Sequence, residues 1–147
     1  MKSVILTFAF ALAFTVGQVK DQPRVEFEMR LVEEKPAAGL IEAAFEDRKL
    51  YLHEKAVITN RDVLDACAVE GIREGLFEIE IVLSPEGTEI MSKASAAHIG
   101  KPMAILLNGE IKSVATLVSE LSSSSIMISG NFNREQAEKL ADGIKSK

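Results

Sequence analysis

The stretch Met103–Leu117, MAILLNGEIKSVATL, constrains the fold more than any other. Two apolar runs flank Asn108 and Gly109. This dipeptide accepts positive φ at both central positions of a type I′ turn, whose twist matches that of paired antiparallel strands. A β-hairpin follows, and the remaining segments must supply the elements that share its core.

Several segments do so with clear period. RVEFEMRLV (Arg24–Val32) sets Val25, Phe27, Met29 and Leu31 against Glu26, Glu28 and Arg30, the period-2 pattern of a half-buried strand. FEIEIVL (Phe77–Leu83) alternates in the same way. Ser84 at an N-cap and Pro85 at the first helical position then start a helix, because proline lacks only an amide that is unpaired there. That helix, EGTEIMSKASAAHI, is expected to carry Ile90, Met91, Ala94 and Ala97 near one face and to close at Gly100 and Pro102. VSELSSSS reads as a polar connector and IMISG as the last strand. Asn133 caps a final helix with Gln136 at the capping-box position, and Ala137, Leu140, Ala141 and Ile144 form its apolar stripe.

Between the first two strands the pattern is weaker. LIEAAFEDR is ambiguous between a short helix and an irregular crossing, with short strands expected around Leu50–Leu52 and Ala56–Ile58. Thr59 with Asp62 three residues on resembles a capping arrangement, so RDVLDACAV reads as a short helix, followed by a turn bracketed by Gly71 and Gly75. The expected class is α+β: a mixed, mostly antiparallel sheet of five or six strands with two main helices on one face.

The chain has 147 residues, 47% hydrophobic and 27% charged, which suits one domain with a real core. Its net charge of −5, without a basic cluster, argues against nucleic acid as a partner. Lys2 followed by the uncharged run Val4–Val16 and then Gly17 has the pattern of a signal peptide, too short for a bilayer-spanning helix. Thr15 and Gly17 suit the −3 and −1 positions of a cleavage site, with Ala11 and Ala13 as another pair. Cleavage is expected after Gly17, giving residues 1–17 as signal peptide and 18–147 as one exported domain.

Nothing in the pattern marks a catalytic or metal centre, and no cofactor motif is present. His53 and His98 stand 45 positions apart, outside any paired-ligand spacing. Cys67, the only cysteine, precludes an intramolecular disulfide; on a helix it would share a buried face with Leu64 and Ala68 and be inert. Ser122–Ser125 lacks a nucleophile-elbow context. Phe27, Phe77 and Phe132 read as core, and Glu26, Glu28, Glu78 and Glu80 as the solvated outer faces of two strands.

From Glu78 to Lys139 the order of parts resembles the head of the first periplasmic domain of SecD, the accessory subunit of the bacterial protein-export translocase. The resemblance is carried by EIVLSPEG, by HIGKPMAILLNGEIKSV and by ISGNFNREQAEKLA. Ile99, Gly100 and Lys101 match the motif before a strand, Asn108 and Gly109 the hairpin, and Ile128 with Ser129, Gly130, Asn131 and Phe132 the motif before the last helix. Upstream, FEMRLV and LYLHEKAVITNRDVLDACAV look like the opening strands and following segment of the same head, with Asp62 and Ala66 in register. The chain departs from the family at the serine run, where Gly-Gly is usual, at Ser113–Ala115 and at Asn133, where Thr is common.

The resemblance implies a non-enzymatic domain that binds protein, either an extended secretory polypeptide or an envelope partner; separately, the sheet edge beside the 106–115 hairpin is expected to accept a strand by main-chain bonding. Gly130 is expected to let the chain leave its strand, Asn131 and Asn133 to satisfy free amides, and Phe132 to act as a hydrophobic staple. SecD also carries membrane helices held to couple proton flow to preprotein movement. No such segment is evident here, so this sequence is not expected to act as a motor by itself. The other readings are a regulatory or structural module for one membrane-protein partner, such as a sensor or peptidase, and a hydrolase using Cys67 or His98.

Overall fold

The computed structural model describes residues 23–145. The predicted signal peptide lies outside the described residues. The described chain forms nine strands, two α-helices and one 3₁₀ turn. In order these are β1 (Phe27–Glu33), β2 (Leu40–Phe45), β3 (Arg48–His53), β4 (Ile58–Thr59), the 3₁₀ turn (Asn60–Asp62), β5 (Val63–Glu70) and β6 (Phe77–Leu83). Then come α1 (Pro85–Ala97), β7 (Pro102–Leu107), β8 (Glu110–Thr116), β9 (Ser125–Phe132) and α2 (Arg134–Lys145). The class is α+β with antiparallel pairing throughout the described strands, but the strands divide into two sheets rather than one sheet of five or six. The larger runs β2-β3-β1-β7-β8 with β4 also on β1, and the smaller runs β5-β6-β9.

The centre of the larger sheet, β1 and β7, is buried on both faces. Phe27, Met29 and Leu31 of β1 and Met103, Ile105 and Leu107 of β7 join the main core with both helices and the smaller sheet. Their neighbours Val32, Ala104 and Leu106 point the other way, into a second core with Ile111, Leu50 and Leu52. That is why Met103–Leu107 is apolar at every position instead of alternating: each side of the pleat meets a core.

The second core exists because β2 and β3 form a hairpin, with full register from Leu40↔His53 to Phe45↔Arg48. LIEAAFEDR is therefore strand and turn, neither helix nor crossing. Its two-residue turn, Glu46-Asp47, places Glu46 at φ 52 without the glycine or asparagine that normally marks such a turn. Arg30 fastens the end of this hairpin to the sheet: its guanidinium grips Glu28 at 2.9 and 2.8 Å and donates to the carbonyls of His53, at 2.9 Å, and Glu54. Glu28 thus holds Arg30 charged, and raises its pKa through the bidentate bond, rather than facing open solvent.

The segment expected as a helix after Thr59 is instead β5, paired with β6 from Val63↔Leu83 to Glu70↔Phe77. The capping box is real: Thr59 accepts from the Arg61 amide and Asp62 accepts from the Thr59 amide. It closes a single 3₁₀ turn and the chain then extends. Ala66 is consequently buried, and Cys67, pointing the other way, is exposed.

Both helices begin as the sequence indicates. Ser84 accepts from the Gly87 amide at 3.0 Å. Asn133 and Gln136 exchange bonds of 2.8 and 3.0 Å in a reciprocal box. Ala137, Ala141 and Ile144 are buried and Leu140 packs against the core. The buried stripe of α1 is Gly87, Met91 and Ser95, not the expected face: Ile90 and Ala97 are exposed. Ser95, fully buried, donates to the Met91 carbonyl and accepts from the Leu121 amide at 2.8 Å, fastening the connector 117–124 along the helix.

Candidate functional site

The motif residues singled out above fall at three separate places. Ile99, Gly100 and Lys101 form the corner between α1 and β7. Gly100, at φ 86, adopts the left-handed conformation that ends a helix, and its amide donates to the Leu117 carbonyl at 2.7 Å. Lys101 Nζ lies 2.9 Å from Glu33 Oε2, and the other oxygen of that carboxylate lies 3.2 Å from His53 Nε2. Glu33 thereby ties the end of β1, the end of β3 and the helix corner together, and Lys101 with His53 lowers its pKa. Neither Glu33 nor His53 stood out in the sequence beside Lys101, because the three come from positions far apart in the chain.

Asn108 and Gly109 stand at the far end of β7, both with positive φ. Beyond turning the hairpin, Asn108 pins it to the chain entering β1: its amide donates to the Glu26 carbonyl at 2.8 Å and its side-chain oxygen accepts from the Glu26 amide at 2.9 Å.

The third place is the corner Ser129–Phe132. It remains within β9, which runs to Phe132 instead of ending at Gly130. Ile128 pairs with Ile79 and Phe132 with Phe77, so Ser129, Gly130 and Asn131 together oppose Glu78: the motif is a bulge. Phe132 folds back over Gly130, and a Cβ there would stand 2.5 Å from its ring. With the ring in this position, only a glycine leaves it room. Ser129 donates to Glu78 at 3.0 Å. Between the bulge and the 71–76 turn lies an open cleft of about 420 Å³, with Ile72 fully exposed and Arg73 beside it.

None of the three places holds a constellation for bond chemistry. Among the described residues, no group of three or more His, Cys, Asp or Glu is arranged to hold a metal ion. His98 Nδ1 meets the Ala94 carbonyl at 2.7 Å, a helix-end bond. Cys67 is exposed, but its thiol lies 3.8 Å from the Glu80 carboxylate, and desolvation, then the charges of Glu80 and Asp65, push its pKa up, opposite to what a nucleophile needs. Glu78 and Glu80 are occupied by the hydroxyls of Ser129 and Ser125.

What the arrangement does offer is main chain. β8 pairs only with β7, so its other edge is free of a ladder among the described strands. It is the edge beside the Asn108 hairpin, and β9 approaches it without pairing. Such an edge presents unpaired amides and carbonyls at the spacing of an added strand.

Residues 37–146 match the family model "SecDF, P1 head subdomain". The chain belongs to the SecDF P1 head family. It is 30% identical over 90 residues to the protein translocase subunit SecD of Leptotrichia buccalis, covering 61% of this chain and 22% of that protein. It is also 30% identical over 108 residues to the SecD of Endomicrobium trichonymphae, covering 71% of this chain and 23% of the relative. The P1 head chain thus spans less than a quarter of each relative's length. A solved structure described as "Structure and function of a membrane component SecDF that enhances protein export" superposes with a TM-score of 0.68 over 85% of this chain and 64% of that one, at 20% identity, showing the same fold. Among the described residues of this P1 head, no helix is long and apolar enough to cross a membrane.

Proposed function

We propose that this P1 head is an exported, non-enzymatic domain that takes part in protein export by holding extended polypeptide along the free edge of β8. One observation carries the reading: the six-stranded sheet ends at β8, next to the family's Asn-Gly hairpin, and among the described strands none pairs with that edge. Strand addition there is tolerant of sequence, since the bonds come from main chain, and this suits a partner that varies from one exported protein to the next. Membership in a family whose full-length relatives are translocase subunits supports the same role. Signal-peptide cleavage and a location in the periplasm or cell envelope belong to this proposal.

The test places a photo-crosslinking residue at Ala115, exposed on β8, and at Arg48, on the hairpin opposite, in cells secreting a marked protein. Crosslinks to many unfolded exported chains from position 115 and not from 48 are expected. One dominant membrane partner, or no crosslink with no effect of excess domain on aggregation of an unfolded exported protein, overturns the proposal.

A further inference from the structure

The two ends of the described chain leave the fold at one place. Val25 donates to the Gly143 carbonyl at 2.9 Å, and Asn60 donates to the carbonyls of both Val25 and Ile144. Around this junction is a notch of about 450 Å³ whose charged lining is Arg24, Arg61 and Lys145, with no carboxylate. The three cations come from three different elements: the entry to β1, the 3₁₀ turn and the last turn of α2. Asp62, the nearest acid in sequence, is turned to the Thr59 amide at 3.0 Å. Asp65 and Asp142 border only Lys145, at 3.9 and 3.4 Å. Among the described residues, no ion pair engages Arg24 or Arg61. Leu64 lies in the same lining and is 69% exposed. The chain as a whole carries a net charge of −5, so this notch is opposite in sign to the average; on their other side Arg24 and Arg61 also line a cleft with Glu26 and Glu28.

We propose that the face formed by Arg24, Arg61, Lys145 and Leu64 docks on an anionic lipid surface. Charge complementarity is the first argument: a basic cluster is drawn to acidic headgroups, and one apolar side chain inserts at the level of the headgroups. The place where the chain emerges is the second. The apolar run Val4–Val16 is separated from Pro23 by six residues, which reach at most about 20 Å. Residues 1–22 therefore join the described fold at this same face.

The experiment uses the full chain with Cys67→Ser and Leu64→Cys, labelled with a polarity-sensitive dye, and a second sample labelled at Ile41→Cys on β2. Vesicles are phosphatidylcholine alone or with one-third phosphatidylglycerol. The dye at position 64 is expected to shift to the blue on the anionic vesicles only, and the dye at 41 on neither. High salt is expected to abolish the shift. Replacing both Arg24 and Arg61 by Gln, with folding checked by circular dichroism, is expected to lower the docked-to-undocked ratio about 25-fold, at about fivefold per basic residue. The proposal is overturned by no shift on anionic vesicles, by an equal shift on neutral ones or at position 41, or by a shift indifferent to the two arginines. A concentration-dependent shift without vesicles also overturns it, since a second copy of the chain would then cover the face.

Discussion

Gly143 lies directly against Val25: a Cβ on the glycine would stand 2.4 Å from Val25 Cγ2 and 2.8 Å from the Pro23 carbonyl oxygen. Two effects of Gly143→Ala therefore oppose each other. Alanine favours the helix by up to about 1 kcal/mol, whereas forcing a methyl into this contact costs about 1–3 kcal/mol. One of the two clashes is with backbone, which cannot rotate away, so the substitution is expected to destabilise the domain in urea unfolding. Adding Val25→Ala is expected to recover part of the loss, because it removes the side-chain clash alone.

Asn60 completes the same junction. Its oxygen accepts from the Phe27 amide at 2.8 Å, and its nitrogen donates to the carbonyls of Val25 and Ile144 at 2.9 and 3.1 Å. Asn60→Ala leaves three partly buried backbone groups without that partner, at a cost of about 1–3 kcal/mol. Amide exchange at Phe27 is expected to quicken in this variant even where the rest of the sheet stays protected. Normal exchange at Phe27 would show that the clamp does not hold the chain entry.

Asn60 also marks where the sequence was silent. Hairpin, caps and the apolar stripe of α2 were legible because each rests on neighbouring residues: Asn108 with Gly109, Ser84 with Pro85, Asn133 with Gln136. The role of Asn60 depends on partners 33 to 84 positions away, for which no local pattern exists. β5 was misread for a related reason. Its Leu and Ala content and the Thr59 box favour a helix locally, but the ladder to β6 and burial of Ala66 against the core prevail. The bulge at Ser129–Asn131 was visible only as a motif; that it opposes a single Glu78 depends on the register with β6.

Phe132 and Gly130 offer a test of that bulge. Gly130→Ala pushes a methyl into the Phe132 ring, which packs against the main core and stands across from Phe77, itself under the Arg134 guanidinium at 4.8 Å. A loss of about 1–3 kcal/mol is expected. If the ring is the cause, adding Phe132→Leu makes the Gly130→Ala step nearly neutral, and a double-mutant cycle in urea measures the coupling. Additive losses would mean that Gly130 is needed for its backbone instead.

Cys67 tests the reading that the exposed thiol is unreactive. Partial desolvation, then the charges of Glu80 and Asp65, raise its pKa, so less thiolate is present at neutral pH than in the unfolded chain. Alkylation of the folded protein is expected to be slower than of the urea-unfolded protein. Glu80→Gln is expected to quicken it by removing the nearest negative charge. Faster labelling of the folded wild type would reverse the assignment and reopen thiol chemistry.

Glu33 gives the pH dependence. Its carboxylate is held below its ordinary value, first by the bond from Lys101 and then by His53. A carboxylate with a depressed folded-state pKa binds fewer protons than in the unfolded chain. Its contribution is thus full above the unfolded value of roughly 4.3–4.5 and is lost as pH falls through the lower folded value. The side chain is about one-third exposed, so the effect is small and screened by salt. Removing the main partner by Lys101→Ala is expected to lower stability by a constant amount above about pH 5, a difference that closes as pH falls toward 3. Urea unfolding of both proteins across that range, at low salt, checks it; a difference unchanged at pH 3 would show that Lys101 acts through packing of its stem and not through Glu33.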